Sequence, residues 1–188
     1  MVLHIPHASK NIPERWRPTF LISEDELCRE LVTMTDAYSD DLFACSGASK
    51  VVFPVSRLLV DPERFPDDAD EPMATCGMGA VYTSTHDGRP LKPNSCKEEL
   101  MKQFYWPHHA ALERAVDEEL AREGRCLIID CHTFPSKPLP CDQDQDPDRP
   151  DFCFGTDAFH TPEHLLNHVL RSHGPGAYSY AFNRPYSG

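Results

Sequence analysis

The sequence predicts an α/β fold, a three-layer sandwich around a mixed, mostly parallel sheet. Apolar strand patterns alternate with helix patterns along the chain, as in folds whose helices cover both faces of a sheet. The run Cys126–Asp130 is apolar up to its last residue, which is typical of a strand buried between helical layers. With 188 residues the chain fits one domain, so we expect a single domain over residues 1–188.

The first half of the chain predicts two strands separated by helical segments. Val2–Ile5 is the first predicted strand. The segment Ser23–Glu26 has the capping-box pattern, and apolar residues at helical spacing follow it up to Asp36. A second helical stretch is expected at residues 37–43. Val51–Val55 is then predicted as a buried strand.

The second half predicts two further helices and two further strands. Pro107 suits the first turn of a helix, which Gly124 is expected to end. Cys126–Asp130 is the strongest strand prediction in the chain. Thr161–Glu163 is predicted to begin the last helix, and Tyr178–Phe182 is predicted to be the final strand.

Charge and composition exclude several classes of partner. The formal net charge of −12 disfavours nucleic acid and anionic membranes, which require a cationic surface, but allows a small anionic substrate bound by local arginines. No run reaches the roughly 18 apolar residues of a membrane span, and no signal peptide precedes the first strand, so we expect a cytoplasmic protein. The eight cysteines include no C-x-x-C pair and are expected to be reduced thiols. The oligomeric state is left open.

Polar side chains follow three of the predicted strands. His7 comes after the first strand, Arg57 after the strand at Val51–Val55, and His132 after the strand at Cys126–Asp130. In open α/β sheets, ligands bind beyond the carboxyl ends of the strands. The sequence therefore places a candidate site at this edge of the sheet.

The histidines near these strand ends have two interpretations. An imidazole at a strand end can ligate zinc through one nitrogen while an acceptor fixes the other, but it can equally satisfy loop carbonyls. Both interpretations are open for His132 and for His7. Because side chains alternate along a strand, His4 is expected to point into a layer and to be buried or to support a ligand.

Asp36 and two arginines are further candidates with structural alternatives. Asp36 lies between two helical stretches, where it could cap the second of them or ligate a metal. Arg57 and Arg64 flank a short apolar segment, and guanidinium groups bind carboxylates bidentately, so they could anchor a dicarboxylate substrate. The alternative is that they form structural pairs with Asp61 or Glu63.

Three histidines near the C-terminus and an acidic loop are expected to be solvated. His160, His164 and His168 recur every four residues, but they flank an apolar stripe and are predicted to lie at its solvent edge. The loop at 142–146 lacks the glycine and the terminal glutamate of a calcium-binding EF-hand loop.

The order of short motifs resembles that of the N-formylglutamate amidohydrolase family, and the resemblance covers essentially the whole chain. These motifs are His4-Ile-Pro-His7-Ala-Ser-Lys-Asn-Ile-Pro13, Thr35-Asp36, Ser56-Arg57 with Asp61-Pro-Glu-Arg64-Phe65, Gly77-Met-Gly79, Pro107-His-His109-Ala-Ala-Leu112, Ile129-Asp-Cys-His132-Thr-Phe-Pro135 and Asn183-Arg-Pro-Tyr186-Ser-Gly188. The family is similar to the zinc carboxypeptidase and aspartoacylase fold, so the resemblance implies a sandwich of the phosphorylase/hydrolase-like kind.

The resemblance implies a Zn²⁺ ion bound by His7 and His132. The carboxypeptidase pattern has a glutamate ligand three residues after the first histidine, but Lys10 stands there, so Asp36 is our choice for the remaining ligand. The implied substrate-binding residues are Arg57, Arg64, His109 and Asn183.

The implied reaction is hydrolysis of N-formyl-L-glutamate, a small anionic amino-acid derivative of histidine breakdown, to formate and glutamate. Family members continue past the motif at 183–188 into a strand that bears a glutamate general base. We therefore expect the chain to lack its C-terminal strand, with Glu63 as a weak candidate base. The alternatives are a zinc amidase for another N-acyl amino acid and a catalytically weak relative that binds a metal or ligand.

Overall fold

Three short parallel strands in the computed structural model form the sheet that positions the candidate site. The central strand β1 (Val2–Ile5) lies between β2 (Ser49–Val52) and β3 (Ile128–Asp130). His4 is the register partner of Val51 on one side and of Asp130 on the other. Because all three strands run the same way, their carboxyl ends meet at one edge of the sheet. The structure describes residues 1–172 and 178–187.

The two faces of β1 contact different layers, because successive side chains of a strand point to opposite faces. Leu3 and Ile5 pack with Cys131 in an apolar cluster that Phe43 and Ala48 also contact. On the other face, His4 contacts His108 of the long helix α4, Trp106–Glu123. The sheet thus lies between two layers, and the α/β class with a mostly parallel sheet is confirmed.

The helices of the first part of the chain begin and end near the predicted positions. Helix α1 (Glu24–Met34) starts with the predicted capping box at Ser23, and the short helix α2 spans Ser39–Leu42. The helix predicted at Pro107 starts earlier, because α3 (Lys97–Leu100) and a π-helical turn at Met101–Tyr105 lead directly into α4. Three 3₁₀-helices complete this part, at Glu14–Thr19, Pro72–Cys76 and Asn94–Cys96. Gly124 ends α4 with a φ of 68°, a conformation that glycine adopts without a steric penalty.

The outer strands differ from the prediction. The strand predicted at Val51–Val55 is β2 at Ser49–Val52, and both of its ends are exposed. The strand predicted at Cys126–Asp130 contains only Ile128–Asp130, and Ile128 is 44% exposed, so its predicted burial on both faces is wrong. Both strands are outermost in the sheet of the described residues and have one neighbour each, so they lack the burial of a central strand.

Contacts divide the chain into two compact units, Met1–Phe134 and Pro135–Gly188. In the second unit, β4 (Phe152–Phe154) pairs in parallel with β5 (Tyr180–Phe182), and α5 (Glu163–Ser172) lies between them in sequence. The final strand is therefore shorter than predicted. The single-domain interpretation of residues 1–188 stays a prediction, and Gly188, the last residue of the C-terminal motif, lies outside the described residues.

Candidate metal and substrate site

The carboxyl ends of β1 and β3 bring two histidines close together. His7 follows β1 and His132 follows β3, and their ring centroids are 5.3 Å apart. Asp36 reaches them from the segment after α1, where its backbone N–H donates to the carbonyl of His7 at 3.0 Å. Both histidines thus lie at the edge of the sheet where the strand ends place them, and Asp36, the third predicted ligand, lies beside them.

These three residues form what we call the His–Asp–His cluster, namely His7, Asp36 and His132. Asp36 Oδ2 lies 2.9 Å from Nδ1 of His132 and 3.9 Å from Nδ1 of His7. One nitrogen or oxygen atom of each residue lies within 4.8 Å of those of the other two, a spacing that could hold a metal ion. Their role as ligands stays a prediction.

The hydrogen bonding of His7 fits such an ion. Its Nε2 lies 2.9 Å from Oδ1 of Asp61, so a proton on Nε2 is shared with that carboxylate. Its Nδ1 is buried and has no hydrogen-bond partner among the described residues. A ring with one nitrogen fixed by a carboxylate and the other free is the usual arrangement of a zinc-ligating histidine. The donor set, two imidazoles and a carboxylate, also suits Zn²⁺.

Asp61 is fully buried and binds several groups of the site. Besides His7, its oxygens accept hydrogen bonds from Tyr82 Oη at 2.7 Å and from Arg57 Nη2 at 2.9 Å. The backbone N–H of Glu63 donates to it at 3.0 Å. Burial raises the pKa of the Asp61 carboxyl, but the charges of Arg57 and His7 outweigh this and hold it well below its usual range. Asp61 is therefore an ionised anchor for its neighbours.

Glu63 lies against both histidine rings of the cluster. Its carboxylate oxygens are 3.1 Å from Nε2 of His132 and 3.4 Å from Nε2 of His7. Burial raises the pKa of Glu63, but the rings of His7 and His132 lower it by more, so that the pKa falls to about 2. For His132, burial lowers the pKa, but the hydrogen bonds to Asp36 and Glu63 outweigh this effect and raise the pKa to about 10. This pocket of carboxylates therefore favours positive charge.

The two predicted anchor arginines differ in their hydrogen bonding. Arg57 is largely buried and donates to Asp61 and to Tyr82 Oη. Burial lowers the pKa of its guanidinium group, but Tyr82 and the neighbouring carboxylates, Asp61 first, raise this pKa well above its usual value. Arg64 has carboxylates only at 3.7 and 3.8 Å, and its buried Nε has no hydrogen-bond partner among the described residues. The structural pairing considered for the arginines therefore applies to Arg57, and Arg64 keeps more hydrogen-bonding capacity for a ligand.

The remaining predicted site residues lie in different places. His109 donates from Nε2 to the carbonyl of Pro62 at 2.9 Å, one residue before Glu63. Asn183 lies in the second unit, where its side chain pairs with the backbone and hydroxyl of Thr156. Both stay predictions as substrate-binding residues. His4 is buried as expected, and its ring bridges Asp130 and His108.

Sequence reasoning missed three buried residues around this site. Tyr82 supports Asp61 and Arg57, Lys92 donates to the carbonyls of Leu58 and Tyr82, and His108 contacts His4. No motif marks Tyr82 or Lys92. The adjacent pair His108-His109 was visible, but only its second member was selected.

The surface features behave as expected. His160, His164 and His168 are exposed, and the eight cysteines form no disulfide with one another. None of the helices in the described ranges combines the length and apolarity needed to cross a membrane.

Comparison with known proteins gives one family and one related structure. The family model described as N-formylglutamate amidohydrolase matches residues 1–188. The crystal structure of gene product Atu2144 from Agrobacterium tumefaciens superposes with a TM-score of 0.63 at 17% sequence identity. The match covers 99% of this chain and 69% of that one. At this identity the likeness concerns the fold. No curated protein matches the sequence.

Proposed function

Since the chain belongs to the N-formylglutamate amidohydrolase family, we propose that it hydrolyses N-formyl-L-glutamate to formate and L-glutamate in a zinc-dependent reaction. The observation that carries the proposal is the convergence of the His–Asp–His cluster around the unpartnered Nδ1 of His7. The family establishes an amidohydrolase, whereas the metal and the substrate are the proposal.

The chain's own residues would hold the ion as follows. His7 would bind through Nδ1, because Asp61 engages its Nε2, and Asp36 and His132 would be the other two protein ligands. When bound, Zn²⁺ polarises a carbonyl and lowers the pKa of a coordinated water. Three protein ligands leave a coordination position free, which is the pattern of catalytic rather than structural zinc sites.

Glu63 is the residue we assign to proton transfer. It accepts a proton from the attacking water and delivers it to the amine nitrogen as the formyl C–N bond breaks. The carboxylate is ionised at neutral pH and lies beside both histidine rings, which supports this role.

Arg64 is the residue we assign to the substrate carboxylate. Its guanidinium group has no hydrogen bond to the neighbouring carboxylates of Asp61 and Glu71, which lie 3.7 and 3.8 Å away. A charge-assisted bidentate pair with a substrate carboxylate would use this capacity. Arg57 contributes positive charge nearby, while His109 and Asn183 are further proposed contacts. The expected partner is thus a small anionic amino-acid derivative, and we propose a cytoplasmic role in histidine breakdown.

The direct test measures formate release from N-formyl-L-glutamate before and after chelation and after addition of Zn²⁺. Release that requires zinc and disappears in His132→Ala, but persists in His164→Ala, is the expected result. His164 is the matched control because it is an exposed histidine outside the cluster.

Parallel assays with N-acetyl and N-succinyl derivatives identify the acyl group. Faster release from one of these would replace the proposed substrate by another N-acyl amino acid. One other candidate is a relative that binds metal and ligand without turnover, since both carboxylate oxygens of Glu63, the assigned base, lie against histidine rings. Bound zinc with no hydrolysis of any of the three compounds would favour that role and overturn the proposed reaction.

A further inference from the structure

Beside the His–Asp–His cluster lies a second set of donors, of which the proposed reaction uses only Glu63. His4 and Asp130 are register partners on β1 and β3, so their side chains lie on the same face of the sheet. His4 Nδ1 is 2.5 Å from Oδ1 of Asp130. Glu63 supplies a carboxylate oxygen within 4.8 Å of both.

We propose that His4, Asp130 and Glu63 bind a second divalent cation. One imidazole and two carboxylates are donors that Zn²⁺ and Mn²⁺ accept. The cation would take the place of the proton between His4 Nδ1 and Asp130.

His108 provides the outer support that such a ligand needs. Its Nε2 lies 2.8 Å from Nε2 of His4, on the side of the ring away from Asp130. A hydrogen on His4 Nε2, donated to His108, leaves the lone pair of Nδ1 for the cation. Ligating histidines usually donate their second ring nitrogen to an acceptor that fixes the ring in this way. Both rings are buried, so their orientation is held by packing.

The site can be reached from solvent through Asp130. His4 is buried, but the side chain of Asp130 is 57% exposed at the end of β3. An ion can therefore reach the pair from solvent without passing through the sheet.

Glu63 lies between the two sets of residues without being a proposed ligand of the first. Its carboxylate is 3.1 Å from Nε2 of His132 and 3.4 Å from Nε2 of His7, the nitrogen that Asp61 engages and not the proposed donor Nδ1. The same carboxylate lies within reach of His4 and Asp130. A second ion on Glu63 would also lower its basicity and slow the proposed proton transfer, a consequence that rests on the proposed function.

Metal stoichiometry tests the proposal without any activity assay. The full chain is dialysed against Mn²⁺, and bound metal is measured per chain. We expect two Mn²⁺ per wild-type chain. Asp130→Asn should hold one ion. Asp117→Asn, an exposed carboxylate of α4 outside both clusters, should hold two.

Two further variants separate this site from the His–Asp–His cluster. His132→Ala should lose the ion of that cluster and keep the one at Asp130. If Asp130→Asn fails to fold by circular dichroism, His4→Gln replaces it. One ion per wild-type chain that survives in Asp130→Asn, or two ions in that variant, would overturn the second site. A single ion lost in Asp130→Asn but kept in His132→Ala would support it and overturn the cluster as the zinc site.

Discussion

A single carboxylate, Asp61, fixes both a histidine and an arginine of the candidate site. Its oxygens accept from Arg57 and Tyr82 and lie 2.9 Å from His7 Nε2, and no part of its side chain is exposed. Removing one partner of a buried ion pair leaves the other charge uncompensated, which is more costly than the pair itself is stabilising. The role of each arginine therefore depends on how strongly Asp61 engages it.

Arg57→Ala is expected to lower the free energy of unfolding by about 3 kcal/mol. The substitution leaves Asp61 buried without its 2.9 Å partner, and Arg64 at 3.7 Å replaces that contact only in part. Urea unfolding measures the change. Arg15→Ala is the control, because Arg15 pairs with Glu99 only at an exposed site. An unchanged urea midpoint for Arg57→Ala would contradict a structural role. Arg57 would then be assigned to substrate binding.

Arg64→Ala should instead raise KM for the anionic substrate with little effect on folding. Loss of a charge-assisted pair weakens substrate binding by about 2 kcal/mol, which corresponds to a roughly 30-fold higher KM. Steady-state kinetics with N-formyl-L-glutamate measures it, and Arg64→Lys should recover only part of the loss because an ammonium group lacks the bidentate geometry. A normal KM combined with a low kcat would show that Arg64 acts on the reacting group instead.

The elements near the N-terminus follow from local sequence. The capping box was predicted from Ser23 and Glu26, and the structure contains both of its hydrogen bonds. The helix it starts ends just before Asp36, so a local signal determines where this candidate ligand lies. The strand-end positions of His7 and His132 were predictable for a similar reason, since parallel strands end at one edge of the sheet.

The outer strands and the supporting residues could not be predicted in the same way. An apolar run such as Cys126–Asp130 does not reveal whether both of its edges are paired, and this decides how much of it is buried. Tyr82 contacts Asp61 across 21 positions, and Lys92 contacts Leu58 across 34. Contacts over such separations depend on the tertiary fold and leave no periodic pattern in the sequence.

Lys92 joins the segment that precedes Asp61 to the segment of Tyr82. Its buried Nζ donates to the carbonyls of Leu58 and Tyr82, and burial lowers its pKa from 10.5 to about 7. Between these two pH values the unfolded chain keeps the proton that the folded chain releases. Stability from this group should therefore increase as the pH rises above 7.

We expect the free energy of unfolding of the wild type, relative to Lys92→Met, to increase between about pH 7 and 9 by up to about 1.4 kcal/mol per pH unit. Urea unfolding of both proteins at several pH values measures the difference, and groups that titrate equally in both cancel. If the free energies of unfolding of the two proteins changed equally with pH, Lys92 would stay protonated in the folded chain. Lys102→Met, at an exposed lysine, should show no such difference.

For the molecule as a whole, a chain of net charge −12 concentrates part of its negative charge at one edge of the sheet. Asp36, Asp61 and Glu63 lie there together, beside the guanidinium groups of Arg57 and Arg64 and the rings of His7 and His132. Such a site is stabilised by a bound cation, because a ligand that binds only the folded state shifts the unfolding equilibrium by mass action.

Zinc is therefore expected to raise the Tm of the full chain by about 5–10 °C at a free concentration about 100 times its Kd. This corresponds to about 2.7 kcal/mol of linkage and to the usual Tm response of a chain of this size. Chelation should reverse the shift. Thermal melting followed by circular dichroism measures it, with Mg²⁺ as a control because it is a poor match for imidazole ligands.

The variants decide whether the stabilisation comes from the proposed ligands. His132→Ala removes a ring that lies 2.9 Å from Asp36 and 3.1 Å from Glu63, so it should abolish most of the zinc-dependent shift. His164→Ala removes an exposed ring in the second unit and should keep the full shift. An equal shift in both variants would mean that zinc binds elsewhere, since stabilisation by mass action follows the residues that bind the ion in the folded state.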